Sequence, residues 1–413
     1  MRITRIRIQN FKSIKDMRIR DIGQALILVG KNSTGKTAVL DAVRTALGAR
    51  SVRQEDFQED YANIEIEMNL LLTEEDLEGR HRERRVSAYR RFPVWRKDFS
   101  RKLPSWKDGV LTFTFVANRE GKTRYHDGFR KDNPYVKEVF PQIYHIDIQR
   151  NLKGFQESLL LLQEDELLKS MRSGCCIFDR GRGCHHCFSC IGLINQKTPG
   201  ELNVFETAKL LDYKLYQTNL NDFSGRVNAC YARNGGKEEI RYSMNRDIER
   251  MLSVTAEMRQ PGREDAKPIE HLGKGMRSIH MLSLLEACAG AETGMPGLIL
   301  VEEPEIFLHP EMQKVSGDIL YRLSEKNQVM FSTHSANLLT DFNSRQIRQM
   351  VLGEDGYSKI MEKTDISRIL DDLGYTAADL MNVDFVFIVE GKQDKNRLPL
   401  LLKRYYSEVY DES

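Results

Sequence analysis

Polar and apolar positions alternate from the start of the chain, where Arg2, Arg5 and Arg7 interleave with Ile3, Ile6 and Ile8. That is the pattern of a half-buried strand, and Asn10 to Ile14 leads into a second, shorter one. Alternation returns over 61–72 and predicts a strand of an antiparallel sheet. Residues 111–116 and 143–148 read as further strands. Continuous apolar runs at 25–29, 298–301 and 385–389 have the length and composition of strands buried on both faces, and 328–332 reads as a further strand. Helical spacing marks 38–47, the leucine-rich 152–171 and 279–289. The polar stretch 203–259 is mostly helical, broken at Asn234-Gly235-Gly236 and closed by Pro261-Gly262.

Candidate chemistry sits where these elements end. Between the 25–29 run and the 38–47 helix stands Gly30-Lys31-Asn32-Ser33-Thr34-Gly35-Lys36-Thr37. A buried strand feeding a glycine-bearing turn that opens a helix gathers backbone N–H groups and a helix N-terminus around one point, which suits a phosphate. In such a loop Lys36 reaches the β- and γ-phosphates and Thr37 coordinates Mg²⁺. The 298–301 run ends in Glu302-Glu303-Pro304-Glu305, and 328–332 ends in Thr333-His334-Ser335. Acids at the carboxyl end of a parallel strand can hold Mg²⁺ through water and polarise the attacking water. A histidine placed there can sense the γ-phosphate. Leu272 to Ser278 is a second glycine-bearing turn opening a helix.

Charge changes this picture only locally. Over 413 residues, 62 Lys and Arg against 60 Asp and Glu leave a net charge of +2, so bulk electrostatics announces neither nucleic acid nor membrane. Arg80 to Lys107, however, holds eleven basic residues against Glu83 and Asp98, interleaved with Tyr89, Phe92, Trp95, Phe99 and Trp106. Basic groups neutralise phosphates and exposed rings stack on bases, so a DNA surface is one expectation. A solvated hairpin with its rings packed inward is the other. Five of the seven cysteines lie in 175–190. The pattern of Cys176, Cys184, Cys187 and Cys190 suggests a structural Zn²⁺, with Cys175 or His185 as substitutes and an iron–sulfur cluster as the alternative. Neither a signal peptide nor a membrane span is apparent, and a reducing, cytoplasmic setting follows.

The opening Ile6-Arg-Ile-Gln-Asn-Phe-Lys-Ser-Ile14, the phosphate loop, 272–278, the run from Glu302 through Leu308-His309-Pro310, and Ser332-Thr-His-Ser335 together resemble an ABC-type ATPase head of the SMC and RecF-like class. They are most similar to the OLD (overcoming lysogenisation defect) family. The resemblance implies an α/β fold: a P-loop ATPase head with a mixed sheet, a helical insertion and a short C-terminal Toprim-like start. It divides the chain into an N-terminal ATPase lobe (1–150), an insertion for dimerisation or partner binding (151–260), a second ATPase lobe (261–380) and the Toprim-like segment (381–413). It implies that Gly30, Asn32, Ser33, Thr34, Gly35 and Lys36 hold ATP, with Thr37 and Glu302 on Mg²⁺. Glu303 would be the general base and His334 the switch histidine. Gly275 and Ser278 would contact the γ-phosphate on a facing protomer of a dimer or higher oligomer, although Gly273 stands where the signature serine is expected. A glutamine near Mg²⁺ would be Gln54 or Gln58. Glu390, after the 385–389 run, would open a Toprim metal site, but no later Asp-x-Asp follows before Ser413. Three readings stay open: the head of a DNA nuclease acting in anti-phage defence, a scaffold restraining a separate nuclease or effector subunit, or a RecF-like repair ATPase.

Overall fold

The computed structural model describes residues 1–82, 84–152, 155, 176–178, 184, 187–217, 221–240, 242, 256–259, 262, 266–289, 297–361, 366–373 and 397. These fall into two compact units, Met1–Gln149 with Met295–Ser413, and Arg150–Gly294. The helix expected at 152–171 and the segment 381–413 lie outside the described residues, apart from Leu152, Phe155 and Arg397.

The first unit holds two sheets. In the antiparallel one, Arg2–Phe11 lies between Ile14–Ile19 and Asn63–Leu71, and Asn63–Leu71 pairs onward to Val110–Asn118. Alternation places one residue in two on the same face, so Ile8, Ile66 and Phe115 form one cross-strand row and Ile6, Met68 and Phe113 the next. All six are buried. Ile3 keeps to this face although it is three residues from Ile6, because the register shifts between Ile3 and Arg5.

The second sheet runs Ser358–Ile360, Ile347–Leu352, Ala25–Val29, Gln328–Thr333, Leu298–Glu302, Ile143–Ile146, parallel throughout except at the Ser358–Ile360 edge. Every residue of Ala25–Val29, Leu298–Glu302 and Gln328–Thr333 is buried, as a parallel sheet covered on both faces requires. The buried Gln328 joins the two sheets. Its Nε2 donates to the carbonyls of Ile3 (2.7 Å) and Gly23 (2.8 Å), and its Oε1 accepts from the Ile3 N–H (2.8 Å). The irregular start of one sheet thus takes its hydrogen bonds from a side chain of the other.

The basic stretch departs from the exposed-ring expectation. Helices Glu74–Arg82 and Phe92–Lys102 form there, and Trp95 and Phe99 are fully buried. Phe92, Trp95, Phe99 and Trp106 pack as a chain of rings with centroids 5.8, 5.0 and 5.2 Å apart. Positions 92, 95 and 99 share one helix face, so burial wins over display, and the Trp95 indole N–H is satisfied by the Arg85 carbonyl. Tyr89 alone of these rings is exposed.

In the second unit, helices Val204–Gln217, Asn221–Arg233 and Lys274–Ala289 accompany a ribbon of Glu257–Arg259 and Ala266–Pro268. Among the described residues, no helix is long and apolar enough to cross a membrane.

Candidate active site

The parallel strands Ala25–Val29, Gln328–Thr333 and Leu298–Glu302 are neighbours, so their carboxyl ends bring the phosphate loop, His334 and the acidic turn to one edge. The loop needs its two glycines. Gly30 (φ 154°) and Gly35 (φ 91°) have left-handed backbones, and a Cβ would meet the Met350 carbonyl at 2.3 Å or the Ser358 hydroxyl at 2.2 Å. Between them, exposed Asn32 and Ser33 lead to Thr34, whose hydroxyl donates to the Lys31 carbonyl (2.8 Å). The helix Lys36–Ala46 then starts with no side-chain cap and no acid in its first turn, where half-buried Thr37 also lies. Its first N–H groups are free to face an anion.

The buried Lys36 ammonium donates to the carbonyls of Gly30 and Lys31, both at 2.8 Å. Burial pushes its pKa down to about 8, against the opposing pull of Glu303 and Glu305. An anion at the loop would restore the charged form. Between about pH 8 and the ordinary lysine value, binding then takes up a proton, and ATP affinity should fall by up to about tenfold per pH unit. Titrations of ATP from pH 7 to 10, with calorimetry in two buffers reading the proton uptake, check this; a flat affinity would contradict it. Glycine cradle, uncapped helix and desolvated lysine all fit a polyphosphate.

The acidic turn contributes three carboxylates in different settings. Glu302, buried at its strand end, is hydrogen-bonded to His145 Nε2 at 2.9 Å. Glu303 has a left-handed backbone (φ 43°), and its N–H donates to the Ser332 carbonyl at 3.0 Å. Such a conformation is costly in a non-glycine residue and clusters at functional sites. Its Oε1 lies 3.5 Å from His334 Nε2. Burial and the Lys36 charge lower the His334 pKa, with Glu303 opposing. Glu305 accepts from the Thr333 hydroxyl (2.8 Å) and from the His334 N–H. Sequence reasoning gave neither His145 nor Glu305 a role. His145 carried no signal beyond being polar in a strand, whereas Glu305, just past Pro304, was visible as a third acid.

Both candidate glutamines are engaged with backbone carbonyls. Gln54 Nε2 donates to the Arg119 carbonyl, and Gln58 Nε2 to those of Lys12 and Ile14. In the second unit, Ser278 is buried and its hydroxyl accepts from Arg150 Nε (2.9 Å). Gly275 is half-buried beside the exposed Lys274 and Met276, so the start of that helix, rather than Ser278, is displayed. The zinc and iron–sulfur expectations are not supported. Among the described residues no group of three or more His, Cys, Asp and Glu is arranged to hold a metal. Cys176, Cys184, Cys187 and Cys190 are free thiols, with Cys187 exposed and 3.5 Å from the Ser189 hydroxyl. Cys175, His185 and Glu390 lie outside the described residues.

A glycine-cradled lysine beside paired acids and a histidine, on parallel strands joined to an antiparallel sheet, defines a P-loop ATPase head. The chain matches the AAA ATPase domain family over residues 1–84 and 202–339, more than half its length, and belongs to that family. It is an ATPase. It is 33% identical over 121 residues to the Old nuclease of Escherichia phage P2, covering 26% of this chain and 20% of that protein. It is 30% identical over 86 residues to the OLD nuclease of Thermus scotoductus, covering 20% of this chain and 16% of that protein. The chain therefore spans a fifth or less of the length of these relatives, and they bear out the resemblance to the OLD family. Its fold is that of Smc head domains. The head from Pyrococcus yayanosii aligns with a TM-score of 0.51 at 11% identity, over 90% of this chain and 99% of that one. The head from Pyrococcus furiosus gives 0.50 at 14% identity, over 90% and 98%.

Proposed function

We propose that the chain is the ATP-driven head of an OLD-type DNA nuclease acting in anti-phage defence, in which ATP joins two heads and closure governs access of DNA to a nuclease centre. The observation that carries this is the convergence of Lys36, Glu303 and His334 at one sheet edge, in a chain whose relatives are named nucleases. Mg²⁺, held by Thr37 and Glu302, would offset the phosphate charge. Glu303 orients and deprotonates the attacking water, and Lys36 stabilises charge on the phosphates. The displayed start of the Lys274–Ala289 helix suits contact with a facing head. Light scattering tests the joining: ATP should dimerise Glu303→Gln and leave Lys36→Ala unchanged. ATP-independent mass of both variants would refute it.

DNA binding by the first unit rests on the exposed arginines and lysines of 82–101, with the buried rings serving as scaffold. Neutralising Arg90, Arg91, Arg96 and Lys97 together should weaken DNA binding and reduce its log–log salt slope by about 3. The reduction falls short of four contacts because Arg96 is already paired with Glu74 at 2.7 Å. Binding that is unchanged across a salt series assigns this face elsewhere.

A further inference from the structure

We propose that Glu305 is a positioning residue for ATP hydrolysis, fixing the His334 turn against Glu303. The inference rests on the assignment of Glu303 and His334 to the hydrolytic centre and adds a residue to it. One carboxyl oxygen, Oε1, receives both the Thr333 hydroxyl and the His334 backbone N–H, tying the acidic turn to the end of the neighbouring strand. The same turn is held from its far side. The Ser335 N–H donates to Thr333 Oγ1 (2.9 Å), and the Ser335 hydroxyl donates to Gln313 Oε1 (2.7 Å). Asn337 Nδ2 also donates to that Gln313 oxygen (3.1 Å), and Gln313 Nε2 returns to the Leu308 carbonyl (3.0 Å). A closed hydrogen-bonded circuit therefore runs from 305 through 333–337 to 313 and 308.

The His334 ring stands 3.5 Å from Glu303, a separation set by where its backbone is anchored. Glu305 supplies that anchor. Its other oxygen, Oε2, is shut off from solvent and has no partner among the described residues. Burial also pushes this carboxyl's pKa upward. A glutamine keeps the side chain's shape and the acceptor at Oε1 that both bonds use.

The chemistry of glutamine thus separates two acids only two residues apart. Glu303→Gln should lower turnover by about 10²- to 10⁴-fold, whereas Glu305→Gln should keep kcat within about threefold of the parent. Glu305→Ala frees the His334 turn and should lower kcat by about 10- to 100-fold, since a misplacement of about 1 Å costs that much. Its KM and Kd for ATP should stay within about threefold. Thr333→Val, which removes one of the two bonds to Oε1, should give a smaller loss of the same kind. The inference is overturned if Glu305→Ala keeps its kcat, if it loses ATP affinity together with turnover, or if Glu305→Gln is as slow as the alanine variant. An active Glu303→Gln would instead show that the hydrolytic centre itself is misassigned.

Discussion

Glu303→Gln should reduce the rate of ATP hydrolysis by about 10²- to 10⁴-fold while leaving nucleotide binding intact. The carboxylate stands at the end of a fully buried strand, in a left-handed conformation fixed by the Ser332 carbonyl, so a glutamine of the same shape keeps the geometry and loses only the base. It also removes a negative charge from beside Lys36. Binding of an anionic nucleotide should therefore be unchanged or tighter, which gives the test its direction. Lys36→Ala should do the opposite, losing affinity before chemistry. Hydrolysis within twofold of the parent chain in both variants would remove this edge of the sheet from the mechanism. Steady-state turnover together with equilibrium binding of ATP reads both.

The largest loss of stability is expected from Gln328→Leu. Leucine is close to glutamine in size, but it leaves the buried Ile3 N–H and carbonyl and the half-buried Gly23 carbonyl without this partner. Each orphaned group costs about 1–3 kcal/mol, so a loss of about 3 kcal/mol or more follows. It should appear as a lower urea midpoint for the first unit. Gln328→Glu is not a rescue, because it supplies no N–H donor for the two carbonyls when ionised. A midpoint unchanged by Gln328→Leu would mean that the two sheets are held together by packing alone.

What the sequence made legible was local. The phosphate loop announces itself through glycine, lysine and the change from strand to helix within eight positions, and the buried strands through unbroken apolar runs. The paired acids and the histidine were readable because each stands at the end of an expected strand. What escaped depends on register between distant segments. His145 meets Glu302 across 157 positions, and Gln328 meets Ile3 across 325; no window of sequence contains either pair. The rings of the basic stretch escaped for a different reason. Their spacing at 92, 95 and 99 marks a helix face, but eleven basic residues over 80–107 are equally the composition of an exposed, charged surface. Glu305 was visible, and only its geometry distinguishes its setting from that of Glu303.

The order of strands in the parallel sheet also sets the timetable of the nascent chain. Ala25–Val29 is completed on one side by Gln328–Thr333 and on the other by Ile347–Leu352. At ordinary rates of synthesis, roughly 300 further residues and about 15–60 s separate the first of these strands from its earliest partner. Throughout that interval a wholly apolar strand and the lysine loop behind it have no sheet to enter. Such a delay favours early shelter by the antiparallel sheet, whose members Arg2–Phe11, Asn63–Leu71 and Val110–Asn118 all emerge within the first 118 residues. The chain therefore exposes a segment prone to aggregation before it can assemble a nucleotide site, and its yield in a cell should respond to chaperone supply more than its final stability would suggest.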